Sequence, residues 1–248
     1  ALLYSGTHGN GYRSSNDSTD IDDVILKGAY RFSATDDVAV SLHHFEGKGR
    51  MPGGLTTAQY SEDPFQSTRQ YDQFTGRRTD GSLKYTHNDG VNNFEVLTYY
   101  TDSFRGSSIA SRDMKTLSSY PRNYHTFAIE PRLSRIFFAG PTTQEVSVGY
   151  RYLKEAMREQ TTRLALIDNV PTPTPSSDGH VFQDRSGGTE ASAYYIDDKI
   201  DVGNWTITPG IRFEHINTDW RDRPVLGANG QPVAEKKRSI TSNEPLPA

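Results

Sequence analysis

The chain has 248 residues, a formal net charge of -4, 33% hydrophobic and 23% charged residues and no cysteine, and its mean hydropathy is -0.72. No run of eighteen apolar residues occurs, which excludes a membrane-spanning helix. The scattered Lys and Arg and the acidic balance argue against a nucleic-acid surface, and the lack of Cys excludes disulfides and thiolate metal sites.

A two-residue period predicts strands over residues 1–9, 20–33, 38–46, 78–88, 93–104, 123–138, 143–163 and 187–202, with a ninth over 205–220. Val38, Val40 and Leu42 oppose Ala39 and Ser41. Phe127, Ile129 and Leu133 oppose Ala128, Glu130, Arg132 and Ser134. In "EVSVGYRY", Val146, Val148, Tyr150 and Tyr152 oppose Glu145, Ser147, Gly149 and Arg151. Trp205, Ile207, Ile211 and Phe213 oppose Thr206, Thr208, Gly210, Arg212 and Glu214. No helical period of useful length occurs, and the final "SITSNEPLPA" reads as the start of another strand.

The connections are of two kinds. Residues 34–37, 88–92, 139–143 and 202–204 are tight and rich in turn formers, whereas 10–19, 47–77, 105–122, 164–186 and 222 to the end are long, and the two kinds alternate. Successive connections of an up-and-down sheet lie at opposite ends, so the turns share one rim and the long loops the other. That asymmetry is the pattern of an outer-membrane barrel. The fold class is therefore all-β, an antiparallel transmembrane β-barrel. Val146, Val148, Tyr150 and Tyr152 then face lipid, and Tyr30, Tyr99, Tyr100, Tyr150, Tyr152, Tyr194, Tyr195, Trp205 and Phe213 are candidates for interfacial girdles. The rival, a soluble β-sheet binding module, requires that apolar parity to be buried in a water-soluble fold. With about eight or nine strands and an unfinished pattern, the chain reads as an internal piece of a larger barrel.

The segments "LLYSGTHGNGYR", "RMPGGLTTAQY", "FQSTRQYDQFTGRR", "YPRNYHTFAIEPRLSRIF", "GPTTQEVSVGYRYLKE", "RSGGTEASAYYIDDKIDVGNWTITPGIRFEHI" and "NEPLPA" together resemble the barrel of TonB-dependent ferric citrate receptors. The resemblance implies a 22-stranded outer-membrane barrel plugged by an N-terminal globular domain. It implies a non-enzymatic receptor without a cofactor, whose transported ligand is iron(III) citrate and whose energy comes from the TonB complex. Residues 1–248 would be a partial barrel in outer-membrane lipid. The plug, the TonB-contacting segment and the C-terminal strands are expected to lie outside this sequence. The alternative is a related receptor for another anionic ferric siderophore.

An anionic, carboxylate-rich chelate calls for guanidinium forks with amide and hydroxyl donors, and citrate itself supplies the iron's oxygen ligands. Arg132, in "EPRLS", matches a lumen Arg of the family, with Glu130 on the same face as its alternative partner. Arg151 and Arg212 lie on the same kind of face, Arg212 beside Glu214. The loop 47–77 contributes Arg50, Gln66, Arg69, Gln70 and Gln73. Two positions depart from the family pattern: Gln73 in "YDQF" stands where an Arg is expected, and Thr57 where some members carry Arg. The candidate ligand-binding set is Arg132, Arg69, Gln73 and Arg151, with no catalytic and no metal site. His43 and His44 are adjacent on a strand and point to opposite faces, as do Asp197 and Asp198, so neither pair converges. "PTPTPSSDGH" (residues 171–180) is an extended Pro-rich segment and a candidate gate.

Overall fold

The computed structural model describes residues 1–140, 142–175, 177–226 and 231–247. The strands are β1 (Leu2–Asn10), β2 (Ser18–Arg31), β3 (Asp36–Arg50), β4 (Gln73–Asn88), β5 (Asn92–Ala110), β6 (Thr116–Ser119), β7 (Arg122–Ala139), β8 (Thr142–Ile167), β9 (Val170–Thr172), β10 (Asp178–Val202), β11 (Trp205–Ile207), β12 (Gly210–Arg223), β13 (Val225–Leu226), β14 (Pro232–Val233) and β15 (Lys236–Pro247). Each long strand pairs antiparallel with the next, from β1 through β5, then β7, β8, β10, β12 and β15.

Among the described residues ten long strands are present where alternation marked nine, because residues 239–247 of "SITSNEPLPA" belong to β15, which pairs with β12 along its length. The expected strand over 205–220 is interrupted at Pro209, and β7 continues past Pro121 as β6 in the same register. Proline lacks the N–H that a ladder needs. The long strands also run further at the loop end than predicted: β3 reaches Arg50, β5 reaches Ala110, β8 reaches Ile167 and β10 begins at Asp178. In the extensions of β3 and β5 most positions on both faces are polar or glycine, and in that of β8 residues 164–167 are apolar on both faces, so no alternation marks them although backbone pairing continues.

The loops are correspondingly short. The loop between β3 and β4 holds one helix, α1 (Thr57–Glu62), missed because six residues carry no period; Thr56 and Gln59 close a capping box at its start. Within the Pro-rich segment, β9 pairs with β8 and Thr174 bridges Ser177, so its described part is a strand-paired hairpin tip. Position 176 of that segment, 141 of a tight turn, and 227–230 and 248 of the final stretch lie outside the described residues. In the turn after β4, Gly90 adopts φ +88°, a region that favours glycine.

The register assigns every side chain to a face. On one face, Leu26, Leu42, Leu83, Phe127, Leu133, Val148, Tyr194, Ile196 and Phe213 are 41–59% exposed. A chain in water would not leave so many large apolar groups uncovered along one continuous face, and the band is what a lipid-facing wall requires. It crosses the rungs obliquely: on β3 its upper edge is Leu42, whereas on β12 it is Phe213, whose rung runs through Tyr194, Tyr150, Tyr85 and Val38. An oblique band is the consequence of strands tilted in a barrel wall. Tyr99 and Tyr195 are corrections to the expected girdle. Each neighbours a tyrosine on the opposite parity, and both lie on the polar face, Tyr99 opposite buried Ala128 and Tyr195 opposite Gly149.

Candidate functional site

The polar face is crowded. Ala128, Ser134, Ser147 and Ala193 are nearly inaccessible because long polar side chains lie across them. At the depth of the apolar band, one rung runs Glu95, Arg132, Gly149, Tyr195, Arg212 across β5, β7, β8, β10 and β12. The rung above it carries Glu130 and Glu214 together with Arg151.

Arg151 Nε lies 3.0 Å from Glu130 Oε1, and its Nη2 donates to the Tyr99 hydroxyl at 3.1 Å. Arg212 Nε donates to Glu214 Oε1 at 2.6 Å. Lys84 takes Glu95 at 2.9 Å. Arg132 is left over: it donates from Nη2 to Ser147 Oγ at 3.1 Å, is exposed, and among the described residues forms no ion pair. The alternative partner Glu130 is therefore taken by Arg151. Beside Arg132, the Tyr195 ring lies over Gly149 so closely that a Cβ there would stand 2.1 Å from Cζ. Gly149 is thus what allows Tyr195 to lie flat along the wall, making a niche of Arg132, Ser147 and Tyr195.

The other two candidates lie at the loop end. Gln73 pairs with Ser108 and Arg132 with Glu95, thirteen positions apart along β5, or roughly 43 Å at ~3.3 Å per residue. Gln73 also shares the parity of Leu83 and Tyr85 rather than that of Arg132. Arg69 is engaged in loop structure: its Nη1 donates to Ser111 O at 2.9 Å and to Ala110 O at 3.2 Å, and contacts Met114 Sδ at 2.8 Å. The structure therefore brings Arg132 and Arg151 together and separates them from Arg69 and Gln73 by more than one small chelate can span. Thr57 is the first residue of α1 and exposed.

Three loops are fastened to one another around these residues. Asn16 Nδ2 lies 2.8–3.0 Å from the carbonyls of Met51, Arg69 and Asp72, and Arg13 Nη2 donates to Gly53 O at 2.9 Å. Buried Asp72 accepts from Ala110 N at 2.7 Å. The histidines remain apart, as expected from parity: His43 sits between Asp23 at 2.7 Å and Asp80 at 3.1 Å, while His44 meets Thr79 on the other face.

Individual parities did not reveal the cations at the loop end of the polar face. One rung there reads Arg105, Arg122, Glu159, Arg185, Asp222, Lys236. Arg122 Nε meets buried Glu159 at 2.5 Å, and Arg185 Nε meets Asp222 at 2.9 Å. Beyond this rung toward the loop end lies Arg163, stacked 4.6 Å from the Phe182 ring centre, and on its other side lies Arg238, opposite Trp220. These residues are far apart in sequence, and only the register sets them on one row.

The family model for the TonB-dependent receptor-like β-barrel matches residues 5–243, and the chain belongs to that family. The unliganded crystal structure of the ferric citrate transporter FecA is similar at 41% identity and TM-score 0.84, over 99% of this chain and 35% of that one. The siderophore receptor PiuA of Acinetobacter baumannii (13% identity, TM-score 0.67) matches 98% of this chain and 42% of its own. The open form of the ferric-catecholate import receptor Fiu of E. coli K12 (11% identity, TM-score 0.72) matches 98% of this chain and 46% of its own. These last two share the fold. The chain spans under half of each of these structures. It is a segment of an outer-membrane receptor barrel, not an enzyme, so the polar face is the lumen wall and the long loops are extracellular.

Proposed function

We propose that the protein is a receptor for an anionic ferric chelate, iron(III) citrate first among them, taken up through the outer membrane with energy from TonB. The observation that carries the reading is Arg132: a lumen guanidinium without a carboxylate partner among the described residues, beside the hydroxyls of Ser147 and Tyr195. A wall whose other deep arginines are neutralised leaves this one available to grip a carboxylate. The likeness to a ferric citrate transporter at 41% identity supports citrate over other chelates. Gln73 supports a related chelate instead, because an amide there brings no charge.

Calorimetric titration into the full-length receptor in detergent tests the reading, with iron-free citrate and a neutral ferric siderophore as comparisons. Saturable binding of iron(III) citrate alone is the expected result. Preference for another anionic ferric chelate would replace citrate with that ligand, and binding only of the neutral siderophore would overturn the reading.

A further inference from the structure

We propose that Lys84 is a positioning residue for the Arg132 niche: by holding the Glu95 carboxylate, it keeps the Arg132 guanidinium free for an anionic chelate that Lys84 itself does not touch. The inference rests on the receptor reading above and adds how the wall leaves Arg132 without a carboxylate. Register makes Glu95 the natural partner of Arg132. The two stand directly opposite one another on β5 and β7, where cross-strand Cβ atoms are about 4.5–5.5 Å apart. Lys84 stands opposite Leu97, so it reaches Glu95 only along the diagonal, about 7–8 Å. The ion pair of Glu95 is nevertheless with Lys84, at 2.9 Å.

The other carboxylate within reach, Glu130, lies two residues before Arg132 on the same face. A pair with that spacing forms on this wall, since Arg212 meets Glu214 at 2.6 Å. Glu130, however, is held by Arg151 at 3.0 Å, and Arg151 is tied in turn to the Tyr99 hydroxyl. On the next rung Asp197 stands opposite Ser147, two strands from β7, or about 10 Å to the side. All of these residues sit on strands with a paired neighbour on both sides. Lys84, Arg132 and Arg151 thus share Glu95 and Glu130, and the cation left over is a guanidinium whose planar fork grips carboxylates. Had Glu95 gone to Arg132, the excess charge would fall on Lys84, a strongly hydrated point charge without that fork. Removing Lys84 frees Glu95 to turn to Arg132, and a chelate must then displace an internal carboxylate before it binds.

Calorimetric titration of iron(III) citrate and of other anionic ferric chelates into the full-length receptor in detergent tests this. Lys84→Gln is expected to weaken binding about three- to ten-fold, the scale of one exchanged ion pair. Lys84→Arg should keep the wild-type affinity, and Lys84→Gln combined with Glu95→Gln should restore it, because no carboxylate is then left to compete. Urea unfolding of the same receptor in liposomes gives a readout without any chelate. Glu95→Gln and Arg132→Gln should shift the midpoint additively when Lys84 is present and non-additively in the K84Q background, where the two residues pair. Unchanged affinity in K84Q, a loss that Glu95→Gln fails to rescue, or additive shifts in both backgrounds would overturn the positioning role and leave the receptor reading standing. The same pattern with an anionic chelate other than citrate would support the role while removing citrate. A receptor that binds no anionic chelate would overturn both.

Discussion

At the scale of single residues, the lumen wall pairs some of its arginines with carboxylates and, among the described residues, leaves others without one. Arg151 and Arg212 are committed to Glu130 and Glu214, whereas Arg132 holds only Ser147. Arg132→Ala is expected to weaken chelate binding by roughly 1.5–3 kcal/mol, the worth of a hydrogen bond to a charged group, and calorimetry on the full-length receptor reads it. Arg151→Ala should instead lower stability, since it strands Glu130. A second residue prediction concerns the turn after β4. The Asn92 backbone N–H, the Asn92 side chain and the Val91 N–H all donate to Asp89, whose pKa is lowered to about 2. A depressed folded pKa means that the stabilisation is present above the ordinary carboxylate range and lost as pH falls through about 2. The difference in thermal midpoint between wild type and Asp89→Ala should therefore be present at pH 6 and vanish near pH 2.

The elements divide labour between spanning and holding loops. The tight turns need only a few caps and a glycine such as Gly90, while the extracellular loops are tied together by side chains that reach across strand ends. Asn16 does this for the loop between β3 and β4, at φ +55°, a conformation asparagine tolerates better than most residues. Asn16→Ala removes its contacts to three carbonyls and is expected to cost about 1–3 kcal/mol locally. Hydrogen exchange in residues 51–72 should rise, and unchanged protection there would show that Arg13 and Arg69 suffice. The Pro-rich segment, read from sequence as a candidate gate, pairs with β8 through Pro171 and Thr172 and closes a bridge between Thr174 and Ser177.

For the whole molecule, the two faces have opposite solvents. Ile196 lies between Val148 and Ile211 inside the exposed apolar band. Ile196→Lys should destabilise the full-length barrel by about 2–4 kcal/mol in lipid, and Thr189→Lys, on the lumen parity between Glu155 and Thr218, by much less. Urea unfolding in liposomes distinguishes them; equal costs would remove the assignment of opposite solvents to the two faces, and a larger cost at Thr189 would mean they are assigned the wrong way round.

Alternation in "EVSVGYRY" and the sorting of short and long connections were enough to determine a membrane barrel and its lipid face. Both follow from local rules: a pleated strand shows successive residues to opposite solvents, and an up-and-down chain sends successive loops to opposite rims. The segments shared with the ferric citrate receptors pointed to the family and to Arg132. What local pattern could not decide was pairing. That Glu130 belongs to Arg151, that Tyr99 and Tyr195 turn into the lumen, and that Arg105, Arg122, Arg185 and Lys236 share one rung all depend on register between strands distant in the chain. The same holds for Gln73 and Arg132: both suited the chemistry of the proposed anionic chelate, but they stand roughly 43 Å apart because strand register, not residue type, sets depth along the wall.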